Sequence, residues 1–126
     1  MSLILFISDD VAANREIRLA LTKSEPDCQV EFVGTTEEIK GLRTPTLILL
    51  DLMLSRQPAL DVLRWLRSDR RFKRVPVFVL GSDIIDREAS EAYQLGANSC
   101  LKKAAGPAFE PIAQGIATYA SLIAAV

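Results

Sequence analysis

Leu3-Ile4-Leu5-Phe6-Ile7 sets five apolar side chains in succession. A strand sends alternate side chains to opposite faces, so this one has no face to turn toward water. It is stable only in a sheet covered on both sides, as parallel sheets are by their crossover helices. The pattern recurs along the chain. Thr46-Leu47-Ile48-Leu49-Leu50 and Val75-Pro76-Val77-Phe78-Val79-Leu80 are further apolar runs, with Pro76 tolerable only at a strand start. Gln29 to Val33 and Ser99-Cys100-Leu101 read as shorter strands. Helical patterns fill the intervals. Ile17, Ala20, Leu21 and Ser24 fall at i, i+3, i+4 and i+7 and stop at Pro26. A short acidic helix has Thr36 as its expected cap and Gly41 near its end. Leu60, Val62, Leu63 and Leu66 outline a third helix, and Ile85, Ala89 and Ala92 a fourth that closes at Gly96. Phe109, Ile112, Ile116, Tyr119 and Ile123 form the expected apolar stripe of a fifth. Strands and helices in strict alternation predict an α/β fold, a five-stranded parallel sheet between two helical layers. At 126 residues, without repeats or an interior linker, residues 1–126 are expected to form a single domain.

Composition removes several function classes. Fifteen Lys and Arg against sixteen Asp and Glu leave a net charge of −1, so no whole-protein field draws in nucleic acid or an anionic membrane. Histidine is absent, which excludes a His-based triad, a His metal ligand and a phosphohistidine carrier. Two cysteines, Cys28 and Cys100, argue against a disulfide framework and for a reduced compartment, with the cytoplasm the expected location. The opening apolar run is far too short to span a bilayer and has no secretory cleavage pattern.

Ligands of parallel sheets sit beyond the carboxyl ends of the strands, so the residues there carry the functional reading. Those residues are Asp9-Asp10, Asp51, Gly81-Ser82 and Lys102-Lys103. Three carboxylates brought to one edge repel, and a cation relieves them. Oxygen ligands with room for water suit Mg²⁺, and a lysine would pair with Asp51 or with an incoming phosphoryl group. Each residue alone has a plainer reading: Asp9 or Asp10 as a helix cap, Asp51 as a turn residue, Lys103 as a solvated side chain. The joint placement is what points to chemistry.

Ser8-Asp9-Asp10, Leu50-Asp51-Leu52, Val75 to Leu80, and Leu95-Gly96-Ala97-Asn98 leading to Lys103 together resemble the receiver domain of bacterial response regulators. The resemblance spans nearly the whole chain and is strongest from Asp51 to Lys103. It implies a (βα)5 flavodoxin-like fold and a role in a two-component phosphorelay rather than as an enzyme. Asp51 would then be the phosphoacceptor, attacking the phosphorus of a phosphohistidine on a sensor histidine kinase or phosphotransfer protein. Asp9 and Asp10 match the acidic pair that holds Mg²⁺, with Asp10 the direct ligand, and the backbone carbonyl of Met53 matches a further protein ligand. Lys103 matches the lysine that contacts the phosphoryl oxygens. A carboxylate nucleophile is already ionised near neutral pH, so no general base is required.

Against that pattern stand four departures. Gly81 occupies the position of a phosphoryl-binding Thr or Ser, and alternation aims Ser82 elsewhere. Cys100 stands where a switch aromatic is expected. Lys103 is followed by Ala104 rather than Pro, and a cis bond there would cost about 2.5–4 kcal/mol. Ser55 and Ala59 replace the common Pro and Gly of the loop after Asp51. The charged cluster is kept while the relay parts are lost. The alternative reading is therefore an unphosphorylated pseudo-receiver, an interaction module using the helix 4–strand 5–helix 5 face toward an output domain, a protein partner or a second copy in a homodimer. An aspartyl phosphatase is disfavoured, since those enzymes carry a second Asp where this chain has Met53. Arg64, Arg67, Arg70, Arg71, Lys73 and Arg74 read as a solvated, partly paired face rather than a direct nucleic-acid site. Trp65 reads as a packing residue beside the third helix's stripe, Cys28 and Cys100 as small buried hydrophobes, and part of the run from Ala117 to Val126 as apolar enough to pack against another chain or a continuation of this one.

Overall fold

The computed structural model describes residues 2–103 and 106–124. Five strands form one sheet: β1 (Leu3–Ile7), β2 (Gln29–Val33), β3 (Leu47–Asp51), β4 (Val77–Gly81) and β5 (Ser99–Lys102). Every pairing is parallel and the order is β2-β1-β3-β4-β5, the flavodoxin-like arrangement. The helices are α1 (Val11–Ser24), α2 (Thr36–Ile39), α3 (Ala59–Ser68), α4 (Asp86–Gln94) and α5 (Glu110–Ala124), the last entered through a short 3-10 turn, Gly106–Phe109.

The period-two geometry of the strands divides the core in two. Leu5, Ile7, Ile48, Leu50, Val77 and Val79 face one layer, where they meet Ile39 of α2, Val62, Leu63 and Leu66 of α3, and Ala92 of α4. Ile4, Phe6, Leu47, Leu49 and Leu80 face the other, against Ile17 and Leu21 of α1 and the inner side of α5. Each such residue contributes roughly 1.5–3 kcal/mol when fully buried, which explains why β1 and β3 carry no polar side chain before their carboxyl ends.

Most element bounds follow the sequence expectation, and the differences have physical causes. The cap of α2 is Thr35, one residue earlier than expected, and Thr36 begins the helix. Pro76 lies just before β4, where its missing N–H breaks no ladder bond. The expected α5 stripe is rotated. The buried face is Phe109, Ala113, Ile116, Ala117 and Ala120, while Tyr119 is half in solvent with its ring 5.0 Å from Phe78. Alanines let α5 lie close to the sheet and α1, so burial selects small side chains over the larger ones. Ala117 and Ala120 are thus taken up within the chain, and Leu122 is exposed. Gly96 ends the turn after α4 with φ +102°, a conformation that suits glycine. No described helix is long and apolar enough to cross a membrane.

Candidate functional site

In a 2-1-3-4-5 sheet the connections leave in opposite directions from β1 and β3, which opens a crevice above their carboxyl ends. Ile7 pairs with Leu50, so the next residues along, Ser8 and Asp51, are placed side by side. Asp51 closes β3 and is buried, with 2% of its surface exposed. A buried carboxylate needs donors, and Asp51 has them. Its Oδ2 accepts from the Ser8 hydroxyl at 3.0 Å and from Lys103 Nζ at 2.8 Å; its Oδ1 accepts from the Met53 backbone N–H at 2.9 Å. Lys103 reaches it because Gly81 pairs with Lys102 and the Lys103 N–H donates to the Gly81 carbonyl, fixing the exit of β5. The ammonium side chain is itself only 14% exposed. The central pair expected from the strand ends is therefore formed.

Asp9 is engaged by the β3–α3 loop. Asp9 Oδ2 accepts from both the N–H and the hydroxyl of Ser55, at 3.0 and 2.7 Å, tying the β1–α1 loop to the β3–α3 loop. Those bonds, the backbone one first, hold the Asp9 carboxyl below its usual range. A depressed carboxyl pKa adds stability above the unfolded-state value and loses it as pH falls through the folded-state value. Ser55→Ala keeps the backbone donor and removes only the hydroxyl, so in metal-free protein it should move the Asp9 carboxyl titration, followed by NMR, upward by the smaller part of the shift. An unmoved midpoint would contradict the share assigned to the hydroxyl bond. Asp10 stays beside the crevice: its N–H donates to Ser8 Oγ at 3.3 Å, and its carbonyl accepts the first helical bond of α1 from Asn14. Ser8 thus links the backbone of Asp10 to the carboxylate of Asp51. Among the described residues, no three Asp, Glu or Cys side chains gather as ligands of one ion.

The departures from the receiver pattern also have a structure. Gly81 ends β4 rather than following it. A Cβ there would sit 2.6 Å from Ile84 Cγ1 and 3.1 Å from Leu52 Cδ1, so the space of the absent side chain is filled by apolar neighbours. Gly81→Thr alone should cost roughly 1–3 kcal/mol by overpacking, and Ile84→Ala in the same chain should recover most of it. Urea denaturation checks this; a single variant as stable as the parent would contradict it. Ser82 is exposed and has no hydrogen bond to Asp51 among the described residues. Cys100 is half-buried and lines a cavity of about 350 Å³ with Ile84, Ala89 and Tyr93. The Tyr93 hydroxyl oxygen accepts the Cys100 N–H at 3.1 Å, which satisfies a donor on edge strand β5. Ala104 lies outside the described residues.

Sequence reasoning passed over Ser8 and Ser55 as site residues. Ser8 was accessible from register, being the first polar residue after β1 and one step beyond the Ile7–Leu50 pair. Ser55 had no such signal, since its contact to Asp9 joins two loops.

No protein-family model matches the chain. It is 28% identical over 110 residues to response regulator Rcp1 of Synechocystis sp., covering 79% of this chain and 75% of the relative. Among solved structures, the phosphorylated cyanobacterial phytochrome response regulator RcpA is 30% identical with a TM-score of 0.83, covering 95% of this chain and 94% of that one. The Mn²⁺-bound form of Rcp1 is 26% identical with a TM-score of 0.79 and covers 94% of each.

Proposed function

The chain belongs to the response-regulator receiver family, and from that premise we propose that Asp51 is its phosphoacceptor in a two-component pathway. The observation that carries this reading is the buried Asp51 carboxylate held at 2.8 Å from the Lys103 ammonium at the switch point of the sheet. Receivers of this family are signalling modules that work with histidine kinases. The transfer asks for an aligned nucleophile and a neutralised phosphoryl group. An Asp51 oxygen forms the new O–P bond as the P–N bond of the donor phosphohistidine breaks, and the imidazole leaves with the electron pair. Ser8 and the Met53 N–H orient the carboxylate. Lys103, already on Oδ2, neutralises charge on the incoming oxygens.

The donor chemistry fits Mg²⁺, because every candidate ligand is an oxygen and this ion takes one or two carboxylates and keeps several waters. Asp10, Asp51 and the Met53 carbonyl would hold it. Asp9 would add charge from across the crevice, its Oδ2 being engaged by Ser55. Bound Mg²⁺ supplies further neutralisation of the phosphoryl oxygens. The phosphorylated and Mn²⁺-bound relatives support both parts of the reading.

Signal output differs from a Thr-and-aromatic relay. Ile84 fills the space beside Gly81, and Cys100 has no ring to rotate. The α4–β5–α5 face, with Tyr93 over the edge of β5, is the proposed partner surface.

With Mg²⁺ and acetyl phosphate, intact mass should rise by one phosphoryl group, and both EDTA and Asp51→Asn should abolish the gain. No gain at saturating donor would favour the unphosphorylated docking module instead.

A further inference from the structure

The basic stretch that follows α3 takes no part in the Asp51 site. Arg70, Arg71, Lys73 and Arg74 fall within five consecutive positions of a chain whose net charge is −1. All four line a cavity of about 650 Å³. Thr46, which also lines it, precedes β3, and Pro76 precedes β4, whereas Asp51 and Gly81 end those same strands. The cavity therefore opens at the amino-terminal edge of the sheet, a full strand length from the phosphoacceptor.

Its charge has no ion-pair compensation among the described residues. Arg70, Lys73 and Arg74 are exposed, and none has an ion-pair partner among the described residues. The neighbouring acid, Asp69, is turned to the backbone N–H of Arg71. Arg71 is held in place: it donates to the carbonyls of Ile39 and Lys40 at 2.8 and 3.2 Å and lies 4.3 Å from the Phe72 ring centroid. Arg67 fixes the segment from inside through the carbonyls of Phe72, Lys73 and Val75. The backbone of the segment and the Arg71 side chain are thus held before a ligand arrives, which lowers part of the entropy cost of binding.

Guanidinium groups without carboxylates suit phosphate oxygens, and Thr44 is a further polar lining residue. Pro45, Val75, Pro76 and Ile123 supply apolar lining to the same cavity. A simple inorganic anion would leave that lining unused. A flat, weakly polar ring bearing phosphates uses both, and the volume lies in the range of small-ligand pockets. We propose that this cavity binds a free nucleoside di- or triphosphate, phosphates on Arg70, Lys73 and Arg74 and base against the Pro76 wall. The site is independent of the phosphoacceptor reading.

Titration of the intact chain with ADP in EDTA tests it, since without metal the Asp51 crevice has no ion to attract the phosphates. Calorimetry gives the affinity. Fluorescence of Trp65, the single tryptophan, gives the location, because its ring is 5.7 Å from that of Phe72 beneath Arg71. Saturable ADP binding is expected, with pyrophosphate at least about fivefold weaker and adenosine undetectable. Arg70→Ala/Arg74→Ala should weaken ADP by about tenfold or more, equivalent to about 1.4 kcal/mol. These side chains are exposed, so the variant should stay folded by circular dichroism and keep its acetyl phosphate labelling at Asp51. No saturation by ADP, an unchanged affinity in the double variant, or pyrophosphate binding as tightly as ADP would each overturn the proposal. So would a single-stranded oligonucleotide binding more tightly per nucleotide than ADP, which would mark a nucleic-acid surface instead.

Discussion

Arg67→Leu is expected to lower unfolding stability by about 3 kcal/mol or more, the largest effect of any single substitution outside the hydrophobic core. Arg67 leaves α3 and binds two separate segments. Its Nε and Nη2 donate to the Gly96 carbonyl at 3.0 and 2.8 Å, and Nη2 also reaches Asn98 Oδ1 at 3.0 Å. Its Nη1 donates to the carbonyls of Phe72, Lys73 and Val75 at 3.1, 3.2 and 2.8 Å. One guanidinium therefore closes the turn that leads into β4 and the turn that leads into β5. Hydrogen bonds from a charged donor are each worth roughly 1.5–3 kcal/mol in net terms, but bonds that share one group do not add. Leucine would leave several carbonyls without a donor and could not span the gap. For a domain of this size the thermal midpoint should fall by roughly 10 °C. Arg67→Lys should recover less than half, because an ammonium lacks the planar fork. A loss below about 1 kcal/mol by urea denaturation would show that water replaces these bonds at little cost.

Lys103→Met should be nearly as disruptive to stability and more so to chemistry. It strips the cation from a carboxylate that is only 2% exposed. Removing one partner of a buried pair typically costs about 3–5 kcal/mol; the remaining donors, Ser8 and the Met53 N–H, should hold the loss here to about 2–3 kcal/mol. Asp51→Asn in the same chain should restore much of it, giving a coupling energy of about 2 kcal/mol in a double-mutant cycle. Phosphoryl incorporation from acetyl phosphate should slow by about 10²-fold, the usual effect of deleting one preorganised electrostatic group. Additive losses in the cycle would mean that the 2.8 Å contact contributes nothing of its own.

The sheet was legible in the sequence because β1 and β3 are apolar on both faces, a pattern that few other environments permit. The pairing of Asp51 with Lys103 was legible for a related reason: strand ends of a parallel sheet share one edge, so position along the chain gives position in space. Where neighbours came from other elements, the sequence was silent. The face of α5 depends on how near the helix approaches the sheet, and alanines carry little signal in a periodicity reading although Ala113, Ala117 and Ala120 are fully buried. Gly81 read as a missing side chain, yet Ile84 from the following loop occupies that volume. Asp9 read as one of three converging carboxylates, whereas Ser55 holds it by two hydrogen bonds across loops. Ser8 could have been found by extending the β1–β3 register by one residue.

The central claim is that Asp51 carries the phosphoryl group as an acyl phosphate, and borohydride trapping measures this most directly. The chain is treated with acetyl phosphate and Mg²⁺, reduced with sodium borohydride, digested and mapped by mass spectrometry. An aspartyl phosphate is reduced to the alcohol, so homoserine should replace aspartate at position 51, only when donor and metal are both present. An unreduced Asp51 in protein that has gained a phosphoryl group, or conversion at Asp9 or Asp10 in its place, would contradict the assignment.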